Sequence, residues 1–304
     1  MAQWIKKGLI FSVDDNFWWA KTYAYLPTPY VLDSNKIRLY FASYDENLFG
    51  RIGFLELDIK TGEISYITEN PVLDLGSAGL FDDSGVSPSC ILDVGDKLFL
   101  YYFGWQRVEQ VPYMLFCGLA VSTDGGRSFK KFSRVPILDR TDKEPFLRSA
   151  VTVLKEDNTY RMWYVSGLDW IELNGTKYPT YLIRYAESSD GIKWSRENPI
   201  CIQFEDDSEF GFGRPWVIKE DGLYKMWYSI RSKARPYRIG YAESGNGIDW
   251  TRKDEEAGID VSQSGWDSEM ICFPSIIKLG HTKYMFYNGN QHGRTGFGLA
   301  ELTD

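Results

Sequence analysis

One motif is written several times along this chain, and that repetition constrains the fold more than any other feature. The segments GLAVSTDGGRSFKKF (118–132), IRYAESSDGIKWSR (183–196) and IGYAESGNGIDWTR (239–252) are copies of one another, and TGFGLAEL (295–302) repeats their first half. Their shared alanine falls at Ala120, Ala186, Ala242 and Ala300, at intervals of 66, 56 and 58 residues. A similar step back reaches GFLELDIKTGEISYI (53–67), a degenerate fifth copy. Upstream of each lies a second recurring strand: LYFASY (39–44), LFLYYFGW (98–105), YRMWYVSG (160–167), YKMWYSI (224–230) and KYMFYNGN (283–290). A third precedes it: TPYVLD (28–33), SPSCILD (87–93), SAVTVLK (149–155), RPWVIKE (214–220) and FPSIIK (273–278). Each unit reads as four strands separated by two Asp/Gly turns and one variable loop.

Five such units predict an all-β fold, a five-bladed β-propeller occupying 1–304 as one domain. The expected blades are 20–75, 80–140, 143–203, 208–262 and 266–304. The fifth has three strands of its own, and QWIKKGLIF (3–11) resembles the fourth strands FKKFSRVPIL (129–138) and WSRENPICI (194–202). Residues 3–11 are therefore expected to complete the last blade and close the ring, leaving no sheet edge bare. A β-sandwich would explain neither the five-fold spacing nor the strand supplied from the N-terminus. Helical periodicity extends nowhere beyond two turns.

Composition narrows the function. Of the 304 residues 16% are aromatic, with 11 Trp and 20 Tyr, which suits strands and amphipathic, sugar-binding surfaces. The net charge of −8 is opposite to the basic footprint that nucleic-acid binding requires. No apolar run approaches the roughly 20 residues of a membrane span, and the opening residues carry too short an apolar core for a secretory signal. A cytoplasmic protein is expected. The four cysteines, Cys90, Cys117, Cys201 and Cys272, lie singly and suggest buried free thiols; neither a metal nor a cofactor is expected.

The repeat also sorts the loops. In each unit the loop into the first strand and the loop between the second and third strands share one face, and the turn between the third and fourth lies on the other. STDGG (122–126), SSDG (188–191) and SGNG (244–247) occupy that last turn and are expected to staple hairpins. His281, in LGHTK, falls on the same face and reads as structural. The opposite face gathers FDDSGVSP (81–88), KEPFLRSA (143–150), SEFGFGRP (208–215) and WDSEMICFP (266–274), together with FGWQRVEQ, SGLDWIELNG, SIRSKARP and NGNQHGRTG. Carboxylates, guanidiniums and indoles are thus aimed at one axial funnel. Glycoside hydrolysis needs two carboxylates, an acid and a base or nucleophile. Asp83, Glu209 and Glu269 are the first candidates for the catalytic groups. Asp82, Trp105, Arg107, Glu144, Arg148, Trp170, Arg214, Arg231, Trp266, Asp267, Asn290 and His292 are the candidates for substrate contact. Arg148 and Arg214 point to an anionic group in the ligand, a sugar carboxylate or a phosphate.

These features resemble the five-bladed propeller glycosidase superfamily, the arabinanase/xylosidase, invertase and mannoside-phosphorylase groups. The resemblance covers the whole chain and rests on the five repeats, the MWY strands (162–164 and 226–228), the SxDGxxW turns and the closing YNGNxxGxTGFGLAE. FDDSGVSPS (81–89) and GWDSEM (265–270) resemble an uncharacterised branch associated with bacterial surface-polysaccharide gene clusters. The resemblance implies a carbohydrate-active enzyme. Arabinanase-type members carry acidic catalytic groups at or near the residue before the first-strand proline. Here those positions hold Thr28, Ser87, Ser149, Arg214 and Phe273, and the EDPR sequence of the phosphorylase type is absent. Three functions follow as expectations: a glycosidase, a phosphorylase or glycosyl transferase using phosphate or a phosphorylated donor, and a glycan-binding propeller without catalysis. The partner in each is a carbohydrate or sugar phosphate.

Overall fold

The computed structural model describes residues 3–14, 16–195 and 198–303, and these are nearly all β. Strand β1 (Ile5–Phe11) precedes a first group of β2 (Thr22–Val31), β3 (Lys36–Tyr44), β4 (Gly50–Asp58) and β5 (Ile64–Ile67). The second group is β6 (Gly85–Val94), β7 (Lys97–Arg107), β8 (Tyr113–Ser122) and β9 (Lys130–Lys131). The third is β10 (Arg148–Glu156), β11 (Thr159–Leu173), β12 (Thr176–Ser188) and β13 (Ile200–Ile202). The fourth is β14 (Glu209–Glu220), β15 (Leu223–Ser232), β16 (Arg238–Ser244) and β17 (Thr251–Arg252). Last come β18 (Cys272–Leu279), β19 (Thr282–Asn288), the single helical turn α1 (Asn290–Gly293) and β20 (Phe297–Thr303).

Pairing within each group is antiparallel, and single parallel pairings, Gly50 with Gly85, Phe116 with Arg148 and Tyr181 with Gly211, join the first four groups. The last group forms a separate sheet of order β1-β20-β19-β18, in which Ile5 to Phe11 run antiparallel to β20. Hydrogen-bonded pairing therefore does not run round in a closed circle. What links the groups is side-chain packing. Tyr40 and Phe54 meet Val86 and Leu98; Tyr101 meets Val153 and Met162; Trp163 meets Val217 and Met226; Trp227 meets Ile276 and Met285; Phe286 and Phe297 meet Trp19 and Phe41. Each of these five buried clusters is shared by two groups, the fifth by the last and the first. Strand alternation makes this possible, because both faces of the middle strands are apolar and each is covered by a neighbouring sheet.

The Asp/Gly turns are cross-links as well as hairpin ends. Ser188 Oγ accepts from the Gly191 amide at 2.9 Å, and Asp190 Oδ1 accepts from the Ile192 and Lys193 amides at 2.8 Å each. Gly191 adopts φ +72°, which presents its carbonyl to the Tyr101 hydroxyl of the preceding group at 2.8 Å. The same bond recurs from Tyr40 to the Gly126 carbonyl and from the Trp163 indole to that of Gly247, both at 2.7 Å. An aromatic donor on the second strand of each of the first three groups thus fixes the turn of the next unit.

Candidate functional site

The starts of β2, β10, β14 and β18 converge with the β3–β4, β7–β8, β11–β12 and β15–β16 connections around a cavity of about 1240 Å³. Its floor comes from a repeated irregularity. Each of these first strands shifts register near its start, between Tyr25 and Thr28, Ser149 and Thr152, Gly213 and Trp216, and Cys272 and Ser275. At each shift one non-glycine residue is left-handed: Leu26 (φ 57°), Ala150 (φ 48°), Arg214 (φ 42°) and Phe273 (φ 55°). All four line the cavity. A bulge inserts a residue and re-aims the side chains beside it, and a non-glycine residue in this region costs about 1–2 kcal/mol. Four such sites around one cavity mark where the fold stores strain.

The cavity is cationic and aromatic. Arg107, Lys177, Arg214, Arg231, Lys233 and Arg235 line it, with Tyr25, Tyr44, Tyr113, Tyr178, Tyr181, Tyr237, Phe210 and Trp105 among the rings. Among the described residues no Asp or Glu does. Arg231 is 5% exposed; its guanidinium lies 4.7 Å from the Phe210 ring centre and 5.1 Å from that of Tyr181. It donates to the Tyr181 hydroxyl at 2.6 Å and the Pro179 carbonyl at 3.2 Å, while its Nε finds no acceptor. Arg214 is 1% exposed and donates to the Phe273 carbonyl (3.0 Å), the Pro27 carbonyl (2.8 Å) and Thr28 Oγ1 (2.7 Å), its Nε also unpartnered. Burial pulls the Arg214 guanidinium down to about 9, against the pull of the neighbouring Cys90 and Cys272 thiols. Neither arginine has a carboxylate within ion-pair distance among the described residues.

His292 faces the same space. It follows Gln291 in a run of positive φ (54°, 60°, then 99° at Gly293), and its ring meets Tyr237 edge-on at 4.9 Å and Phe273 at 6.3 Å. His292 is solvent-exposed on the cavity wall. The protein around it, joined by the charge of Arg231, pushes its imidazole down to about 4.

Of the residues singled out from sequence, Trp105, Arg107, Arg214, Arg231 and His292 come together at this cavity. The remainder are placed elsewhere. Asp82 is buried, accepting from the Tyr102 hydroxyl at 2.9 Å and pairing with Lys131 at 2.6 Å. Glu144 accepts from Tyr164 at 2.8 Å and Ser166 at 2.6 Å, with Arg148 at 3.3 Å. Asp267 accepts from Tyr287 at 3.0 Å and pairs with Lys6 of β1 at 2.7 Å. In the fourth group Asp254 accepts from Tyr228 at 2.6 Å and pairs with Arg252, which also grips Glu209 through two 2.8 Å bonds. A tyrosine at the end of each MWY-like triplet thus clasps a loop carboxylate, and in three groups the partner cation comes from the fourth strand. The first group has Phe41 there and no such clasp. These carboxylates recur in four of the five groups as fastenings.

Asp83 accepts from the Gly79 amide at 2.8 Å and Ser84 Oγ at 2.9 Å, capping a turn. Glu269 is exposed, and its backbone amide donates to Asn290 Oδ1 at 2.8 Å. Asn290 is thereby a brace for the 265–270 loop. Arg148 donates to the Asp139 carbonyl at 2.6 Å, away from the cavity. Trp170 lies behind the wall, edge-on to Tyr113, and Trp266 packs on Tyr287. His281 is exposed in the β18–β19 turn. Glu205, Glu209 and Asp254 form the one cluster of metal-ligand geometry among the described residues, and Arg252 occupies it. The tyrosines and Lys177, Lys233 and Arg235 were not legible as site residues; Lys233, Arg235 and Tyr237 lie in a second-to-third-strand connection, but Tyr25 lies in a first strand and Lys177, Tyr178 and Tyr181 in a third. All four cysteines are buried and unpaired, and no described helix is long and apolar enough to cross a membrane.

The fold is shared with solved glycoside hydrolases. A solved glycoside hydrolase superposes with a TM-score of 0.80 at 19% identity, over 99% of this chain and 92% of its own. The chain belongs to the family of the uncharacterized protein Rv1502 of Mycobacterium tuberculosis, with 37% identity over 300 residues, 98% of this chain and 99% of that protein. A 1,2-beta-oligomannan phosphorylase of a Thermoanaerobacter species matches a shorter stretch, 35% identical over 106 residues, or 33% of this chain and 34% of the enzyme. No family model matches the chain.

Proposed function

We propose that this protein is a carbohydrate-active propeller whose cavity takes an anionic sugar or sugar phosphate, for transfer or phosphorolysis. The observation that carries this reading is a cavity lined by six cationic side chains and no described carboxylate, in a chain of net charge −8. Such a cleft concentrates anions, and the tyrosine and tryptophan faces suit the apolar face of a sugar ring. Hydrolysis by a carboxylate pair has no support from the cavity lining, since Asp83, Glu209 and Glu269 are engaged or exposed elsewhere. The stretch resembling an oligomannan phosphorylase favours phosphate as a co-substrate. The reading includes a five-bladed ring with the boundaries given above, fastened by the β1–β20 pairing and the five shared clusters, and a cytoplasmic setting in keeping with four free thiols.

Calorimetric titration at low ionic strength with a hexose 1-phosphate, glucuronate and neutral mannooligosaccharides tests the ligand class. The anionic sugars are expected to bind about tenfold or more tighter than the neutral ones. Tighter binding of a neutral oligosaccharide overturns the reading. Incubation with mannooligosaccharides and inorganic phosphate, followed by detection of a hexose phosphate, tests phosphorolysis.

A further inference from the structure

The cavity floor holds two guanidiniums that the protein leaves unneutralised. Buried charges in folded proteins are paired, yet Arg214 and Arg231, each 5% exposed or less, meet only carbonyls, hydroxyls and ring faces, and each keeps a buried Nε without an acceptor. Two missing negative charges call for a dianionic group, as on a phosphate monoester, rather than a single carboxylate. Beside them His292 is held on a strained stretch of three consecutive positive-φ residues and shares Tyr237 with Arg231: the guanidinium lies 5.6 Å from that ring centre and the imidazole 4.9 Å. Strain retained at a cavity wall presents this side chain to whatever fills the space.

We propose that a dianionic phosphoryl group of the ligand seats on Arg214 and Arg231, and that its arrival protonates His292 from solvent, so that capture takes up a proton. The inference rests on the anionic-ligand reading of the cavity. The groups that meet His292 are neutral to its charge or oppose it: Tyr237 of the β15–β16 connection and Phe273 of β18 touch its ring, and Arg231 of β15 is the charge that acts on it, while Arg235, Arg214, Tyr23 and Tyr25 line the same cavity. No described carboxylate lines this space to hold a proton there before the ligand arrives. A bound dianion reverses that balance by cancelling the repulsion of Arg231, and an opposite charge within about 4–6 Å raises an imidazole by about 1–3 pH units.

The chain has two histidines, so His281→Gln leaves His292 as the only imidazole reporter in an NMR titration. Sulfate serves as the probe because it keeps two charges across the whole pH range, and a hexose 1-phosphate and glucuronate provide the sugar arms. Saturating sulfate is expected to raise the His292 midpoint by about two units, to bind about tenfold more tightly at pH 5 than at pH 7.5, and to lose that pH dependence in His292→Gln. Arg231→Gln is expected to abolish binding. The titration of the parent chain stands even if that variant does not fold. Sulfate and hexose 1-phosphate binding with an unmoved His292 midpoint overturns the proton coupling and leaves the proposed function intact. Glucuronate binding more tightly than hexose 1-phosphate overturns the dianion assignment alone, whereas binding only of neutral oligosaccharides overturns the cavity reading and this inference together.

Discussion

Replacing Glu209 separates a structural carboxylate from a catalytic one. Its two oxygens each accept from Arg252 at 2.8 Å, with the carboxylate side chain 9% exposed and the guanidinium 17%. Removing one member of a buried pair costs about 3–5 kcal/mol. Arg252 retains Asp254 as a second partner, and the pair is not fully enclosed, so Glu209→Ala is expected at the lower end, about 2–3 kcal/mol. For a chain of 304 residues that corresponds to a fall in Tm of about 3–5 °C. Glu209→Gln, which keeps one acceptor, is expected to lose about half as much. Urea denaturation followed by tryptophan fluorescence gives the stability change, and titration with the best anionic ligand gives the functional one. The reasoning is refuted if Glu209→Gln leaves stability within about 0.5 kcal/mol of the parent and abolishes turnover or binding.

Three further outcomes are expected. Gly85→Ala places a methyl 1.9 Å from the Trp105 indole nitrogen; it should cost about 1–3 kcal/mol and weaken sugar binding by displacing that wall residue, measured by denaturation and calorimetry. Asp267→Asn unfastens Lys6 and Tyr287 and should destabilise by about 2–3 kcal/mol, with a smaller loss in the Lys6→Met background, as a double-mutant cycle would report. His292 is held below its unfolded value of about 6.5, so the unfolded chain binds the proton first. Its contribution is complete above that value and is lost as pH falls toward 4. The acid limb of a Tm profile should therefore flatten between pH 6.5 and 4 in His292→Gln, and bound sulfate should flatten it in the parent chain.

Much of the architecture was legible in the sequence because it rests on local chemistry. Strand alternation, the Ser-x-Asp-Gly turns and the MWY-like triplets are short-range patterns, and each copy announces the same four strands. The resemblance of residues 3–11 to a fourth strand has its counterpart in the pairing of Ile5–Phe11 with β20. Recurrence misled where it was read as chemistry. Asp82, Glu144, Glu209 and Asp267 repeat from unit to unit, and repetition is what a fastening needs; a single active site is built from what differs between units.

The amino-acid order alone determined how many strand groups form and which turns join them, since those depend on neighbours within a few residues. Tertiary structure alone decided which charges meet the axis. The side-chain period of a strand is two, so one inserted residue at each first-strand bulge reverses what faces inward. The bulges at Leu26, Ala150, Arg214 and Phe273 each hold a non-glycine residue left-handed, a conformation that no short-range pattern in the sequence announces. They leave arginines and tyrosines at the cavity while the acidic groups turn back to clasp their own sheets.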